Sequence, residues 1–482
     1  MLAHELRSAC QIVSLAGLLF SVLMYFPWII SLIFNWDGGG PFFWAATTSS
    51  MICLLVALAS RGETPRVSAR FGIIVVNLLW WICPLICSLP LMLGEKPLSS
   101  VDAIFEAVSG LTTTGSTIIS DLDIRDRPIL LWRAMIQWIG GLGILSLGLI
   151  LLPFLRVGGM QLFRMESSDR AEKPLPRLIE ISKTIILIYL ILSLACTSAY
   201  YIAGMGIFDA VVHAMTTVST GGFSSHNDSL GYFNSLTILW IAIVFMIIGG
   251  LPFNFFIGIF FTRNIPKLDP QIFVFLGIIV FSTVVLCGLD FSLSTLSFSE
   301  FSNRAFNLVS IISTTGYASG DFMSYGMIGP VLFFVLIFIG GCAGSTSGGI
   351  KIYRFIIMTE LIKSSLRELV YSKGVFLMHY GKQVVDEPIF RSAIIMIVSF
   401  FMSLAIVTIL LGVMGLDFIT ALSGATTALA NVGPGIGPVI GPTGNFSSLG
   451  DPEKIVLTVS MIVGRLEILI VMALFLPLLW KS

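Results

Sequence analysis

The chain alternates long and short apolar runs. The long ones cover Cys10 to Phe34, Phe42 to Ala59, Phe71 to Leu93, Ile129 to Leu155, Thr184 to Ala203, Leu236 to Phe261, Ile272 to Leu289, Met327 to Ala343, Ser392 to Gly415 and Lys454 to Trp480. About 20 mostly apolar residues cross the hydrocarbon core of a bilayer, so these runs predict membrane helices. Four short segments lie between pairs of them: Asp102 to Leu111, Asp209 to Thr217, Ala305 to Ile312 and Ile419 to Leu429. They are too short to cross and predict re-entrant half-helices. The first two long runs lack such an insert and predict a hairpin that serves as scaffold or oligomer contact.

Each short segment runs into a small polar turn. The turns read Thr112-Thr113-Thr114-Gly115-Ser116, Val218-Ser219-Thr220-Gly221-Gly222, Ser313-Thr314-Thr315-Gly316-Tyr317 and Ala430-Asn431-Val432-Gly433-Pro434. Backbone at membrane depth leaves the helix only where it is buried in protein or lines a water-filled cavity. Carbonyl and hydroxyl oxygens in such turns can replace an ion's hydration shell, and glycine tolerates the positive φ that aligns them. One such turn is an ordinary loop; four, each between a short and a long apolar run, suggest a four-fold pore within one chain. A second recurring mark, Gly140-Gly141, Gly249-Gly250, Gly340-Gly341 and Gly464-Arg465, lies in the second helix of each unit. Small residues there let helices pack closely in lipid. The predicted organisation is a hairpin over 1–66, then pore units over 67–160, 161–264, 265–364 and 365–482.

Composition fixes the class. Of 482 residues, 56% are hydrophobic and 11% charged, and the mean hydropathy is +0.96. Soluble domains carry roughly 25% charged residues, so the expectation is an all-α, multi-pass integral membrane protein in contact with lipid. The net charge of zero names no partner and gives no sign of nucleic-acid binding. The seven cysteines and four histidines show neither zinc-ligand spacing nor a disulfide framework. Cys10 to Phe34 is too long and too aromatic for a signal core and reads as the first membrane helix.

Lysine and arginine set the orientation. With the N-terminus inside, the inner segments take Arg7, Arg61, Arg66, Arg70, the cluster from Arg156 to Lys183, Arg263, Lys267, the cluster from Lys351 to Arg391, and Lys481; the outer segments keep Lys96, Arg125, Arg127, Arg133, Arg304 and Lys454. That arrangement puts all four turns outside. Asp37, Glu95, Asp102, Glu106, Asp121, Asp123, Asp126 and Asp321 share that side. They either form an acidic vestibule that concentrates cations or merely avoid the basic inner face. The inner stretches Arg156 to Lys183 and Lys363 to Arg391 would dock a cytoplasmic subunit or face anionic lipid.

Two features sit below the third and fourth turns. Gly344-Ser345-Thr346-Ser347-Gly348-Gly349 breaks the second helix of unit three. Such a run cannot hold a lipid-facing helix, so it faces the cavity beneath the turns, as a mobile gate or a static kink. It is not a phosphate loop, because Ile350-Lys351 follows and no strand precedes. Arg465 replaces the second glycine of the pair in unit four. A mid-helix arginine costs about 2.5–3.5 kcal/mol to insert, so it faces the pore or a partner. Glu467, two residues on, lies on another face. Arg465 either contacts the 344–349 loop and repels cations when the gate is shut, or anchors to a backbone carbonyl or, through water, to Glu467. No catalytic cluster of Asp, His or Ser shares a depth, which speaks against an enzyme or a lipid flippase.

These turns, the glycine marks, the run Gly344 to Lys351 and Gly464-Arg465 together resemble the Trk/Ktr/HKT superfamily of potassium transporters over essentially the full length. The resemblance implies a potassium-channel-like fold with four pseudo-symmetric units around one pore. It implies that Gly115, Gly221, Gly316 and Gly433, with Thr113, Thr114, Ser219, Thr220, Thr314, Thr315, Asn431 and Val432, form a potassium-binding selectivity filter, and that 344–349 is an intramembrane gate. Serine at the first glycine goes with sodium transport in this superfamily, and glycine at all four positions goes with potassium. The fourth turn, Asn431-Val432-Gly433, departs from the T-x-G pattern. The resemblance further implies a homodimer in the bacterial inner membrane above a cytoplasmic TrkA-like nucleotide-binding regulatory subunit, with potassium as the transported ion and no organic cofactor. Symport and gated conduction both fit, and a sodium-coupled or sodium-permeable relative is the alternative.

Overall fold

The computed structural model describes residues 2–62, 68–94, 96–151, 174–261, 268–288, 297–381 and 383–480. Much of the basic stretch from Arg156 to Lys183, and Arg66, Glu95, Arg263, Lys267 and Lys481, lie outside the described residues. Among the described residues, seven helices are long and apolar enough to cross a membrane, or nine if each of two bent pairs counts as one span. The architecture is all-α, with one small β-hairpin.

The chain opens with α1 (Leu2–Leu23), α2 (Tyr25–Phe34) and α3 (Gly40–Ala59). Four repeats of helix, short helix, turn and second helix follow. The first is α4 (Ala69–Met92), α5 (Ser100–Leu111) and α6 (Arg127–Leu151). The second is α7 (Pro174–Ile202), α8 (Ile207–Val218), α9 (Leu236–Gly250) and α10 (Phe253–Phe261). The third is α11 (Pro270–Gly288), α12 (Phe298–Ile312), α13 (Ile328–Ile337) and α14 (Ile352–Val370). A hairpin of β1 (His379–Tyr380) and β2 (Gln383–Val384) leads to the fourth: α15 (Glu387–Val413), α16 (Phe418–Ala430), α17 (Asp451–Arg465), α18 (Ile468–Met472) and α19 (Pro477–Trp480).

Local chemistry starts the short helices. Ser99, Ser297 and Asp417 cap α5, α12 and α16 by accepting from the amides of Asp102, Glu300 and Thr420, and Glu300 completes a capping box with Ser297. Such caps satisfy amides that have no partner within the helix. The packing is cyclic: α6 lies against α8, α9 against α12, α13 against α16 and α17 against α5. Each unit's second helix therefore supports the next unit's short helix. The ring closes with Lys454 Nζ on Asp102 Oδ1 at 2.6 Å, where Lys454 is buried.

Two second helices differ from the straight runs that the apolar pattern predicts, and the expected break in unit three is wider than its glycine-rich run. Unit two turns by 95° between α9 and α10, and unit four by 108° after Arg465. Pro252 explains the first, since proline cannot continue the hydrogen-bond ladder. The second turns on Glu467, a non-glycine residue at φ 60°. Unit three stops at Ile337 and resumes at Ile352.

Candidate ion pathway

The four turns share one backbone design. Thr113, Thr220, Thr314 and Asn431 take left-handed φ values of 53°, 51°, 58° and 53°. The next amides, of Thr114, Gly221, Thr315 and Val432, donate back to the carbonyls of Ser109, Thr216, Ser310 and Thr427 at 2.8–3.1 Å. A glycine at positive φ follows in each: Gly115 at 85°, Gly222 at 80°, Gly316 at 81° and Gly433 at 109°. In unit two this equivalence selects Gly222, one residue beyond the Gly221 that the sequence singles out. The adjacent glycines hide the register from sequence reading, and only the backbone distinguishes them.

These glycines make a closed ring. A Cβ on Gly115 would strike the carbonyl oxygen of Gly221, one on Gly222 that of Thr315, one on Gly316 that of Val432, and one on Gly433 that of Thr114. Each turn's glycine abuts the carbonyl at one equivalent position of the following turn, and the fourth returns to the first. Ser116 Oγ donates to the Gly433 carbonyl at 2.9 Å across the same closure.

A non-glycine residue held at positive φ costs about 1–3 kcal/mol, which the surroundings must offset. Here hydroxyl pairs do part of this: Thr112 with Thr114 at 2.7 Å and Ser313 with Thr315 at 2.8 Å. Asn431 Nδ2 donates to Thr114 Oγ1 and to the Met461 carbonyl, both at 2.9 Å. Ser219 Oγ donates back to the Thr216 carbonyl.

Behind the ring lies a polar stripe on α6. Arg133 Nε meets Glu106 Oε1 at 2.7 Å, with both side chains almost wholly buried. Arg133 also donates to the Ser224 carbonyl and to Thr117 Oγ1. Glu106 accepts from the Ile118 amide, so the pair holds the chain just after two turns. Four residues on, Gln137 grips the second turn. On the far side, Tyr317 Oη meets Thr216 Oγ1 at 2.5 Å. Sequence reading passed over Gln137 and counted Arg133 and Glu106 as outer charges; the available signal was one helix face bearing Arg133, Gln137 and Gly140-Gly141.

Four of the eight acids expected in the vestibule are paired with basic side chains. Glu106 pairs with Arg133, Asp102 with Lys454, Asp121 with Lys96 and Arg125, and Asp123 with His226. His226 Nδ1 lies 2.7 Å from Asp123 Oδ1, its Nε2 lies 3.5 Å from Asp209 Oδ1, and its ring stacks on Tyr232 at 3.5 Å. Burial alone would lower the His226 pKa. Hydrogen bonds and charge from Asp209 and Asp123 outweigh it and raise the pKa above 6.5.

The 344–349 loop is stitched to three of the turns. Its neck is closed by Gly340 N to Ile350 O and Ile350 N to Phe338 O, at 3.0 and 3.1 Å. Thr346 Oγ1 bonds to the carbonyls of Val218 and Gly249 and accepts from Thr220 Oγ1. The Gly348 amide donates to Thr314 Oγ1 at 2.6 Å, and the Gly349 amide to the Ala430 carbonyl at 2.7 Å. Ser345, Thr346 and Ser347 are buried. In the ring of Thr113, Thr220 and Thr314, the hydroxyls of Thr220 and Thr314 are thus engaged by the loop, while Thr113 Oγ1 has no partner.

Arg465 Nη2 donates to the Thr346 carbonyl at 3.1 Å, and its Nε has no partner. Glu467 instead pairs with Arg354 of α14 at 2.6 Å, so the water-bridged Arg465–Glu467 anchor is replaced by a backbone anchor on the loop. Lys351 Nζ donates to the Ser347 carbonyl and approaches Ser345 Oγ and Ser347 Oγ. The other end of the loop reaches the β1–β2 hairpin: Tyr380 Oη to Asp269 Oδ1 at 2.5 Å, Gln271 Nε2 to Asp269 Oδ2 at 3.1 Å, and the Ala343 amide to Gln271 Oε1 at 2.6 Å.

A membrane protein of four helix–turn–helix units, closed around a ring of backbone oxygens, belongs to the pore-loop class. Comparison with known proteins narrows it. The family model for TrkH, described as a cation transport protein, matches residues 42–286 and 272–481. The chain belongs to the TrkH family, whose members are transporters rather than enzymes. It is 43% identical to the Trk system potassium uptake protein TrkI of Halomonas elongata over 411 residues, covering 85% of this chain and 84% of that protein. It is 35% identical to the Trk system potassium uptake protein TrkH of Escherichia coli K12 over 493 residues, covering 99% of each. The crystal structure of the potassium transporter TrkH from Vibrio parahaemolyticus superposes with a TM-score of 0.91 at 32% identity, covering 99% of this chain and 100% of that one.

Proposed function

We propose that this chain carries potassium into a bacterial cell across the inner membrane, with the four turns as selectivity filter. The observation that carries the reading is the closed ring in which a positive-φ glycine of each turn abuts a carbonyl of the next. Four such carbonyls supply an oxygen cage for a dehydrated cation. The four short helices end at the turns, and the partial negative charge of their C-termini favours a cation there. Glycine at every ring position favours potassium over sodium, in keeping with the potassium uptake named for the relatives.

In this reading the 344–349 loop is the gate, and Arg465 both holds it and repels a cation below the filter. The N-terminus is cytoplasmic, the chain works as a homodimer, and a TrkA-like nucleotide-binding subunit regulates the loop from the cytoplasmic side. The basic inner segments and the superfamily resemblance support these partner assignments.

The test is cation flux through the purified chain in liposomes, without any partner. Potassium flux well above sodium flux, lost in Gly316→Ser, is expected. Gly115→Ser should admit sodium. Equal flux of both ions in the unaltered chain would favour a sodium-permeable relative instead.

A further inference from the structure

Gln137 is a buried amide one turn beyond Arg133 on α6, and it belongs to unit one while serving unit two. Its Nε2 donates to the Gly221 carbonyl at 2.6 Å, and its Oε1 accepts from the Phe223 amide at 3.0 Å. The two bonds bracket Gly222, the ring glycine of that turn. The Gly221 carbonyl is the very oxygen that faces Gly115 in the ring.

The position of Gly221 is occupied by Thr114, Thr315 and Val432 in the other turns. Thr114 and Thr315 secure themselves through hydroxyl bonds to Thr112 and Ser313. Gly221 has no side chain with which to do so, and it does not take a positive φ. A Cβ built there would lie 2.5 Å from Gln137 Cδ and 2.9 Å from its Nε2. The carboxamide therefore fills the volume that a side chain fills elsewhere. The residues that precede the glycine marks by the same interval in the other units are Met246, Ile337 and Met461, none of which carries a side-chain amide.

We infer that Gln137 is a specificity-determining positioning residue, which replaces the missing side chain of Gly221 and fixes one ring carbonyl in place. The inference rests on the filter reading above. A carbonyl held by a short amide bond cannot move inward to follow a small cation, and it shares its lone-pair density with the amide. Both effects weaken the ligand for sodium more than for potassium, since selectivity depends on cavity size and on the field strength of the oxygens. Removing the amide frees the oxygen and lowers discrimination.

The experiment measures potassium and sodium flux of full-length variants in liposomes, with thermal unfolding measured in parallel. Gln137→Met, similar in length but without a donor, should lower the potassium-to-sodium ratio about tenfold, the size expected for one buried hydrogen bond. Gly221→Ala should push the carboxamide away and lower the ratio similarly. Gln137→Met/Gly221→Ala should show no further fall than either single change, because both remove one interaction. Additive losses would overturn the inference, as would an unchanged ratio in Gln137→Met. A lowered melting temperature with an intact ratio would reduce Gln137 to packing. Should Gln137→Met not be recovered folded, Gly221→Ala carries the same test, because its backbone suits alanine. Gly316→Ser separates the two readings: if it abolishes potassium flux while the Gln137 and Gly221 variants keep the parent's ratio, the filter stands and this inference falls. If Gly316→Ser changes nothing either, the filter reading itself has failed.

Discussion

Arg465 donates from Nη2 to the carbonyl oxygen of Thr346 at 3.1 Å, tying the second helix of unit four to the middle of the unit-three loop. A buried charge-assisted hydrogen bond of this kind contributes about 1.5–3 kcal/mol. Arg465→Ala should therefore shift the loop toward release by roughly ten- to a hundredfold in population. Potassium flux through liposomes lacking any partner should rise accordingly. An unchanged rate in a folded protein would remove Arg465 from gating.

The register of the second turn is open to direct test. Gly222 has φ 80° and meets the Thr315 carbonyl, whereas Gly221 meets the flexible end of Gln137. Gly222→Ala should abolish flux, and Gly221→Ala should keep flux while lowering selectivity. The reverse ranking would restore Gly221 to the ring.

Glu106 and Arg133 form a pair with almost no solvent contact. Removing one partner strands a buried charge, at a cost of about 3–5 kcal/mol. Glu106→Ala should lower the melting temperature sharply and abolish transport, and Arg133→Met should act likewise. If either variant melts as the parent does, the pair is not what braces the first two turns.

His226 makes the loops that it joins sensitive to pH. Its folded pKa lies above 6.5, because Asp209 and Asp123 favour the charged ring against the opposing effect of burial. The stabilisation is thus complete below the ordinary value and is lost as pH rises through the folded one. Melting temperature should fall as pH rises from about 6.5. His226→Gln should flatten that dependence, and a slope that survives the substitution would assign it to another group.

Tyr380, Asp269 and Gln271 connect the β1–β2 hairpin to Ala343 at the start of the loop. Gln271→Leu should unfasten that end, raising basal flux several-fold, since one buried hydrogen bond contributes about 0.5–1.5 kcal/mol. Tyr380→Phe, cut further from the loop, should act more weakly. Equal basal flux in all three proteins would show that the loop is held elsewhere.

The membrane class and the four-unit repeat were legible because apolar length and small polar turns survive as local patterns. Short helices such as α5 and α16 fell close to their expected bounds, whereas α12 starts at Phe298, seven residues before the expected Ala305, because its first two turns are polar and are fixed by the Ser297–Glu300 capping box rather than by apolar pattern. The bend after Arg465 was not legible: Leu466-Glu467 contains neither proline nor glycine, and the cause is tertiary, with Glu467 held by Arg354. Gly222 was hidden because two adjacent glycines look alike until the backbone assigns φ. Gln137 was hidden because its partner is a carbonyl 84 residues away, which no local pattern encodes.

The closed ring of turns has a consequence for how the proposed filter can vary. In a homotetramer, every substitution is copied four times, so the cage changes in whole-number steps and keeps its rotational symmetry. Here the same cage is written out once around its circumference. Asn431 and Gly221 already give two quadrants side chains unlike those of the others, so the supports behind the ring carbonyls differ from turn to turn. Selection can edit one quadrant while three hold the shape, and ion preference can be tuned in quarter steps.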